Sequence, residues 1–173
     1  FDYQMNIGLS TSFTGEDSLD VTIDVGGGAA GGTVAAGTAT EAATVMGFQA
    51  TGSALNVDGI TYTFPVGGAT VVVGDTTDIS STFTGACAYS AFTDYMGNCG
   101  TGNSVGVGGN GVTASIGYAF DSGFSLAGGV SSTETAIMTK EGTDSYGIEA
   151  AYTADTYGVA VAYTSSDNGT SAE

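Results

Sequence analysis

The residues in this chain able to do chemistry are carboxylates, and almost nothing basic stands beside them. Eighteen Asp and Glu face one basic residue, Lys140, and there is no His. Without an imidazole, neither a Ser nor a Cys has the usual base that turns it into a nucleophile. Lys140 lies between Thr139 and Glu141 in a loop-like stretch, where an ammonium group is solvated rather than tuned for proton transfer. A carboxylate pair can hydrolyse a glycoside, and Asp20 and Asp24 fall on one strand face. Four residues of strand hold their backbones roughly 13 Å apart, at about 3.3 Å per residue, beyond the reach of such pairs. The sequence reads as that of a protein without catalytic function.

Three further motifs reduce to plainer readings. Cys87 and Cys99, with eleven residues between them, are expected to close a loop as a disulfide, with paired free thiols as the alternative. Two thiols without His leave a zinc ion short of ligands. Gly106-Val107-Gly108-Gly109-Asn110-Gly111 spells the dinucleotide-binding glycine pattern, but a strand rather than a helix follows it. Asp75-Thr76-Thr77-Asp78 and Ser166-Asp167-Asn168-Gly169 offer oxygens for weak calcium binding, without the spacing of an EF-hand loop. No other cofactor is expected. The formal charge of −17 repels phosphate backbones and argues against nucleic acid as a partner.

The elements that carry these acids are strands. Thirty Gly, a single Pro and 42% apolar residues in a chain of 173 suit short strands and Gly-rich turns, in one domain spanning residues 1–173. Starting at Phe1 without Met, the chain reads as a processed protein or a piece of a longer one. Val25 to Thr40 is uncharged but too rich in Gly, Ala and Thr for a membrane helix, so any span must be built of strands. Apolar and polar residues alternate in segment after segment. Phe1, Tyr3, Met5, Ile7 and Leu9 share one face, and Leu19, Val21, Ile23 and Val25 share another beyond the turn at Thr14-Gly15-Glu16-Asp17.

The same alternation predicts strands at Ile60 to Phe64 and Ala69 to Gly74, hinged at Gly67-Gly68. It continues at Val112 to Phe120 and Phe124 to Val130, with a turn at Asp121-Ser122-Gly123, and at Tyr146 to Tyr152 and Tyr157 to Tyr163. A small hairpin is expected within Thr44 to Val57, a long loop from Asp75 to Gly111, and a polar tail from Ser165 to Glu173. About eight principal strands result, joined alternately by tight turns and long loops. That rhythm favours an antiparallel up-and-down β-barrel over a sandwich, because membrane barrels have short turns at one end and long loops at the other. Aromatic residues such as Tyr62, Phe64, Tyr118, Phe120, Phe124, Tyr152 and Tyr157 gather near strand ends, as at the two membrane interfaces. In a sandwich the same residues would fill the core.

Thr11-Ser12-Phe13-Thr14-Gly15-Glu16-Asp17-Ser18-Leu19, Ile60-Thr61-Tyr62-Thr63-Phe64-Pro65-Val66 and Ser115-Ile116-Gly117-Tyr118-Ala119-Phe120 resemble stretches of cyanobacterial outer-membrane porins. In that family a surface-layer-homology domain precedes a carbohydrate-porin-like barrel. The resemblance implies a passive channel for small solutes or inorganic ions, in a cell outer membrane and in contact with its lipid, usually trimeric. Neither the surface-layer-homology domain nor a closing strand with a terminal aromatic residue is found. Eight strands also enclose too little space for an aqueous pore, so the chain is expected to be a segment of a larger barrel of about 16 strands or to assemble with copies of itself. Asp20, Asp24 and Glu149 fall opposite the apolar face, which makes them the expected pore-lining residues and the channel cation-preferring. The rival reading is a secreted structural or adhesive surface protein whose copies join through calcium or strand addition.

Overall fold

A computed structural model of the chain describes residues 3–27, 51, 53–75, 79–84, 111–133, 137, 139 and 142–168. Within them are eight strands: β1 (Tyr3–Thr11), β2 (Ser18–Gly27), β3 (Asn56–Val66), β4 (Ala69–Asp75), β5 (Gly111–Ala119), β6 (Phe124–Thr133), β7 (Thr143–Thr153) and β8 (Gly158–Asn168). They form one sheet in chain order, β1 to β8. The fold is therefore all-β with an up-and-down arrangement, as the alternation predicts. A single turn of 3-10 helix at Ile79–Thr82 begins a short segment, residues 79–84, called the strap below. No helix among the described residues is long and apolar enough to cross a membrane, which says nothing about strands.

Tight turns sit where the sequence places its glycines. Gly67 and Gly68 both have positive φ, 56° and 87°, the backbone a two-residue hairpin needs and side chains resist. Gly123, at 86°, closes the β5–β6 turn. Two expectations are corrected. β8 runs on through Ser165, Ser166 and Asp167, because these residues still pair with Tyr146, Ser145 and Asp144 of β7; the ladder, not the apolar alternation, sets its end. β3 likewise begins at Asn56, within the stretch expected to form a separate hairpin. Most of that hairpin, the cysteines Cys87 and Cys99, Lys140 and the Gly106–Gly111 motif lie outside the described residues, apart from Gly111 itself.

The chain divides into two compact units, Phe1–Thr11 with Asp20–Ile60 and Ser12–Leu19 with Thr61–Glu173. In the first, Thr51 is stitched to the end of β2: the Gly26 amide donates to Thr51 Oγ1 at 3.0 Å, and the Thr51 amide donates back to the Gly26 carbonyl at 3.2 Å. Tyr3 donates its hydroxyl to Ser53 Oγ at 2.9 Å. In the second unit, β4 to β8 are paired antiparallel in unbroken register.

The second unit also holds the turn that precedes β2, organised around one carboxylate. Asp17 accepts hydrogen bonds from the hydroxyls of Ser12 at 2.7 Å, Thr14 at 2.6 Å and Tyr62 at 2.8 Å, and from the Phe13 and Thr14 amides at 3.1 and 2.7 Å. Phe13 packs edge-on against Tyr62, whose ring stacks on Phe64. Donors converging on an anion favour its charged form, so Thr14 and Ser12 above all hold the Asp17 carboxyl well below the usual carboxylate range. A depressed acid stabilises the fold fully above its unfolded pKa, near 3.9. That contribution is lost as pH falls towards the folded value. Asp17→Asn is accordingly expected to lower the melting temperature at neutral pH, with the gap to wild type narrowing steadily below about pH 4. Circular dichroism melts across that range check it; a constant gap would contradict it.

Candidate functional site

The register of the second unit assigns every side chain of β4 to β8 to one of two faces. Three neighbouring rows of one face read Gly74–Thr113–Ser131–Ser145–Ser166, Val72–Ser115–Gly129–Gly147–Thr164 and Thr70–Gly117–Ala127–Glu149–Ala162. Apart from Val72 and Glu149 these residues are small or carry a hydroxyl. The rows between them, on the opposite face, read Val73–Ala114–Val130–Tyr146–Ser165, Val71–Ile116–Gly128–Ile148–Tyr163 and Ala69–Tyr118–Leu126–Ala150–Val161.

Burial runs opposite to that of a water-soluble sheet. Thr113 is 1% exposed and Ser145 2%, whereas Ile148 is 61% exposed and Val161 69%. Leu126, Ile116, Tyr118 and Tyr163 are exposed as well. The aromatics Phe124, Tyr152 and Tyr157 cluster where the β5–β6 and β7–β8 turns end their strands. The expectation of aromatic side chains at strand ends is met there.

The strap lies on the polar face. Thr82 Oγ1 and Ser115 Oγ share a hydrogen bond, Thr84 Oγ1 and Ser125 Oγ share another at 2.9 Å, and the Thr84 amide donates to Glu149 Oε1 at 2.6 Å. Such close approach needs a wall without side chains. A Cβ on Gly117 would stand 2.8 Å from the Thr82 carbonyl oxygen and 3.0 Å from Thr82 Cβ, inside normal contact. The strap helps to line a cavity of about 390 Å³, Ser81, Phe83 and Thr84 joining Thr61, Thr63, Thr70 and Ser125 of the strands. Within the paired strands Thr113 donates its hydroxyl to Ser131 Oγ at 3.1 Å, and on the opposite face Ser132 donates its hydroxyl to Asp144 Oδ1.

The three acids singled out from the sequence have different surroundings. Glu149 lies on the polar face at the root of the strap, 4% exposed, with Oε2 unpartnered. Asp24 is 1% exposed, and neither of its carboxylate oxygens has a hydrogen-bond partner. Asp20 is half-buried in β2. Glu149 belongs to the second unit and the two aspartates to the first. Among the described residues no group of three or more Asp, Glu, Cys or His converges on one metal position.

The strap is the feature the sequence reading misses, since it falls inside the expected long loop. Its one signal is chemical: Ser81, Thr82 and Thr84 match a strand face that is itself rich in Ser, Thr and Gly.

No protein-family model matches the chain, and no curated protein matches it. Among solved structures, a mutant of the Rh. blastica porin is similar at 14% identity with a TM-score of 0.45, over 94% of this chain and 53% of that one. The chain thus spans about half the length of the porin it matches.

Gly117→Ala is expected to push the strap off the wall, so that the Thr84 amide exchanges its hydrogen at least about tenfold faster. Gly8→Ala, whose Cβ would meet nothing within 4 Å, should leave the rate unchanged. Hydrogen-exchange mass spectrometry over the strap measures both, and equal protection in wild type and Gly117→Ala would contradict the contact.

Proposed function

We propose that this chain is part of the wall of an outer-membrane porin: a passive, non-enzymatic channel for small hydrophilic solutes or ions, preferring cations. The observation that carries the reading is the inverted sheet of the second unit, with small polar residues buried and bulky apolar residues open to the surroundings. In water, an exposed row such as Ile116, Ile148 and Tyr163 loses the contacts that make apolar burial favourable, worth about 25 cal/mol per Å². Lipid restores an apolar surrounding, and a membrane barrel wears its apolar band outside and its polar lining within. A soluble sandwich demands the reverse.

On this reading the polar face looks onto water, and the strap narrows that water. Glu149 stands where it narrows, and with Asp20 and Asp24 makes the interior electronegative; no Arg and a single Lys in the chain offset them. Fixed carboxylates near a pore concentrate cations and exclude anions. The lipid of an outer membrane is the partner of the apolar face, and a homotrimer in a cyanobacterial envelope is the assembly the sequence resemblance implies. Neither mechanism nor assembly requires a cofactor.

Two measurements test this. Ile148→Arg sets a charge on the exposed face and is expected to cost about 2–4 kcal/mol near a bilayer midplane, impairing assembly in lipid far more than Ala162→Arg, at a half-buried position of the polar face. Equal tolerance of the two would remove the assignment of faces. Reversal potentials across a planar bilayer under a KCl gradient should show cation preference, weakened when Asp20, Asp24 and Glu149 are neutralised together. High salt should mask that preference, as the Debye length falls to about 3 Å at 1 M. Anion preference, or no conductance by the assembled protein, would contradict the proposal.

A further inference from the structure

The apolar face of the β7–β8 hairpin ends in the same way on both sides. On β7 its residues are Asp144, Tyr146, Ile148, Ala150 and Tyr152; leading into and along β8 they are Tyr157, Val159, Val161, Tyr163, Ser165 and Asp167. On each strand two tyrosines therefore enclose a pair of uncharged apolar residues, of which Ile148, Val159 and Val161 are each more than half exposed. Carboxylates stand just beyond the tyrosines. Asp144 and Asp167 oppose each other in the ladder at one end, and Asp155 is exposed in the turn at the other. Tyr146 lies across from Ser165, and Tyr152 across from Val159, so from β7 to β8 the tyrosine level steps two residues towards the turn at both ends. The two levels form parallel lines oblique to the strands, as the two interfaces of a bilayer cross tilted strands.

We propose that these tyrosines mark the two interfaces of an unusually thin hydrocarbon layer, about 15 Å deep at this wall, which rests on reading the face as lipid-facing. Tyr146 and Tyr152, like Tyr157 and Tyr163, are six positions apart. At about 3.4 Å per residue that is roughly 20 Å along the strand, and a tilt of about 35–45° brings it to roughly 15 Å along the membrane normal, against about 25 Å for the usual apolar band of a barrel. A tyrosine suits an interface, its ring in the apolar layer and its hydroxyl in water. Hydrocarbon does not extend further, because it would cover Asp144 and Asp167 on one side and Asp155 on the other, and carboxylates are costly there. The partner that fits this surface is a bilayer of short acyl chains; longer chains have to thin beside it.

The chain has no Trp, so a single indole reports its own depth. Tyr146→Trp, Tyr152→Trp, Tyr157→Trp and Tyr163→Trp keep an aromatic ring at each level, and Ile148→Trp and Val161→Trp sample the space between. Each full-length variant is placed in phosphatidylcholine vesicles carrying bromine either near the headgroup or near the chain end. Quenching by deep bromine should exceed quenching by shallow bromine at 148 and 161, and the order should reverse at all four tyrosine positions. Wild type should also melt at a higher temperature in dilauroyl- than in dioleoyl-phosphatidylcholine. Stronger deep than shallow quenching at 146 or 163, or a higher melting temperature in the dioleoyl lipid, would overturn the thin layer while leaving the lipid-facing wall in place. Absence of quenching at every position would overturn both.

Discussion

Everything in the second unit follows from one constraint: on β4 to β8 the small polar face is the buried one. A strand's side chains alternate strictly, so choosing which face is covered fixes the environment of every residue at once. With Thr113, Ser115, Ser131 and Ser145 covered, Ile116, Leu126, Ile148 and Val161 of the bulky apolar rows are left exposed. On the proposed reading those rows meet an apolar solvent, and the polar rows need partners for their hydroxyls. The two demands are met in different ways, and together they account for both the strap and the open face.

Burying hydroxyls is unfavourable unless they are hydrogen-bonded. The covered face meets this condition at three pairs, across the ladder in Thr113 with Ser131 and between strap and wall in Thr82 with Ser115 and Thr84 with Ser125, whereas the buried Ser145 Oγ has no partner. Each hydroxyl both donates and accepts, so such pairs tile a surface without charged residues. Small size matters as much as polarity. Gly117, Gly129 and Gly147 leave room on the wall, and at Gly117 the strap uses that room down to van der Waals contact. Glu149 is the exception in its row, a long anionic side chain among Thr70, Gly117, Ala127 and Ala162, and it reaches the strap's backbone where its neighbours are too short to do so.

Much of the fold is legible in the sequence because period-two alternation is a local signal. Ile116, Tyr118, Ile148 and Val161 announce one face, and Gly67-Gly68 and Asp121-Ser122-Gly123 announce turns whose backbone glycine permits. The ends of β3 and β8 are misread for a physical reason: Asn56, Ser166 and Asp167 are held by backbone pairing, which side-chain polarity does not report. The strap is invisible for another, since six residues gain their place from non-local contacts with β5, β6 and β7. Of the expected acids, Glu149 is correctly placed on the polar face by alternation alone. Alternation gives no hint that Asp24 is buried without donors, because burial there depends on what covers the strand rather than on its own pattern.

The central claim is that the apolar face meets lipid and the polar face does not, and spin labels placed along β7 read it most directly. With the native cysteines replaced by Ser, single labels at positions 145 to 150 of the protein in lipid vesicles would be scored for collision with oxygen, which dissolves in the bilayer, and with a water-soluble nickel chelate. The account predicts a period of two, oxygen favoured at 146, 148 and 150 and excluded at 145, 147 and 149. A uniform profile, the opposite phase, or chelate access at 148 equal to that in water would contradict it.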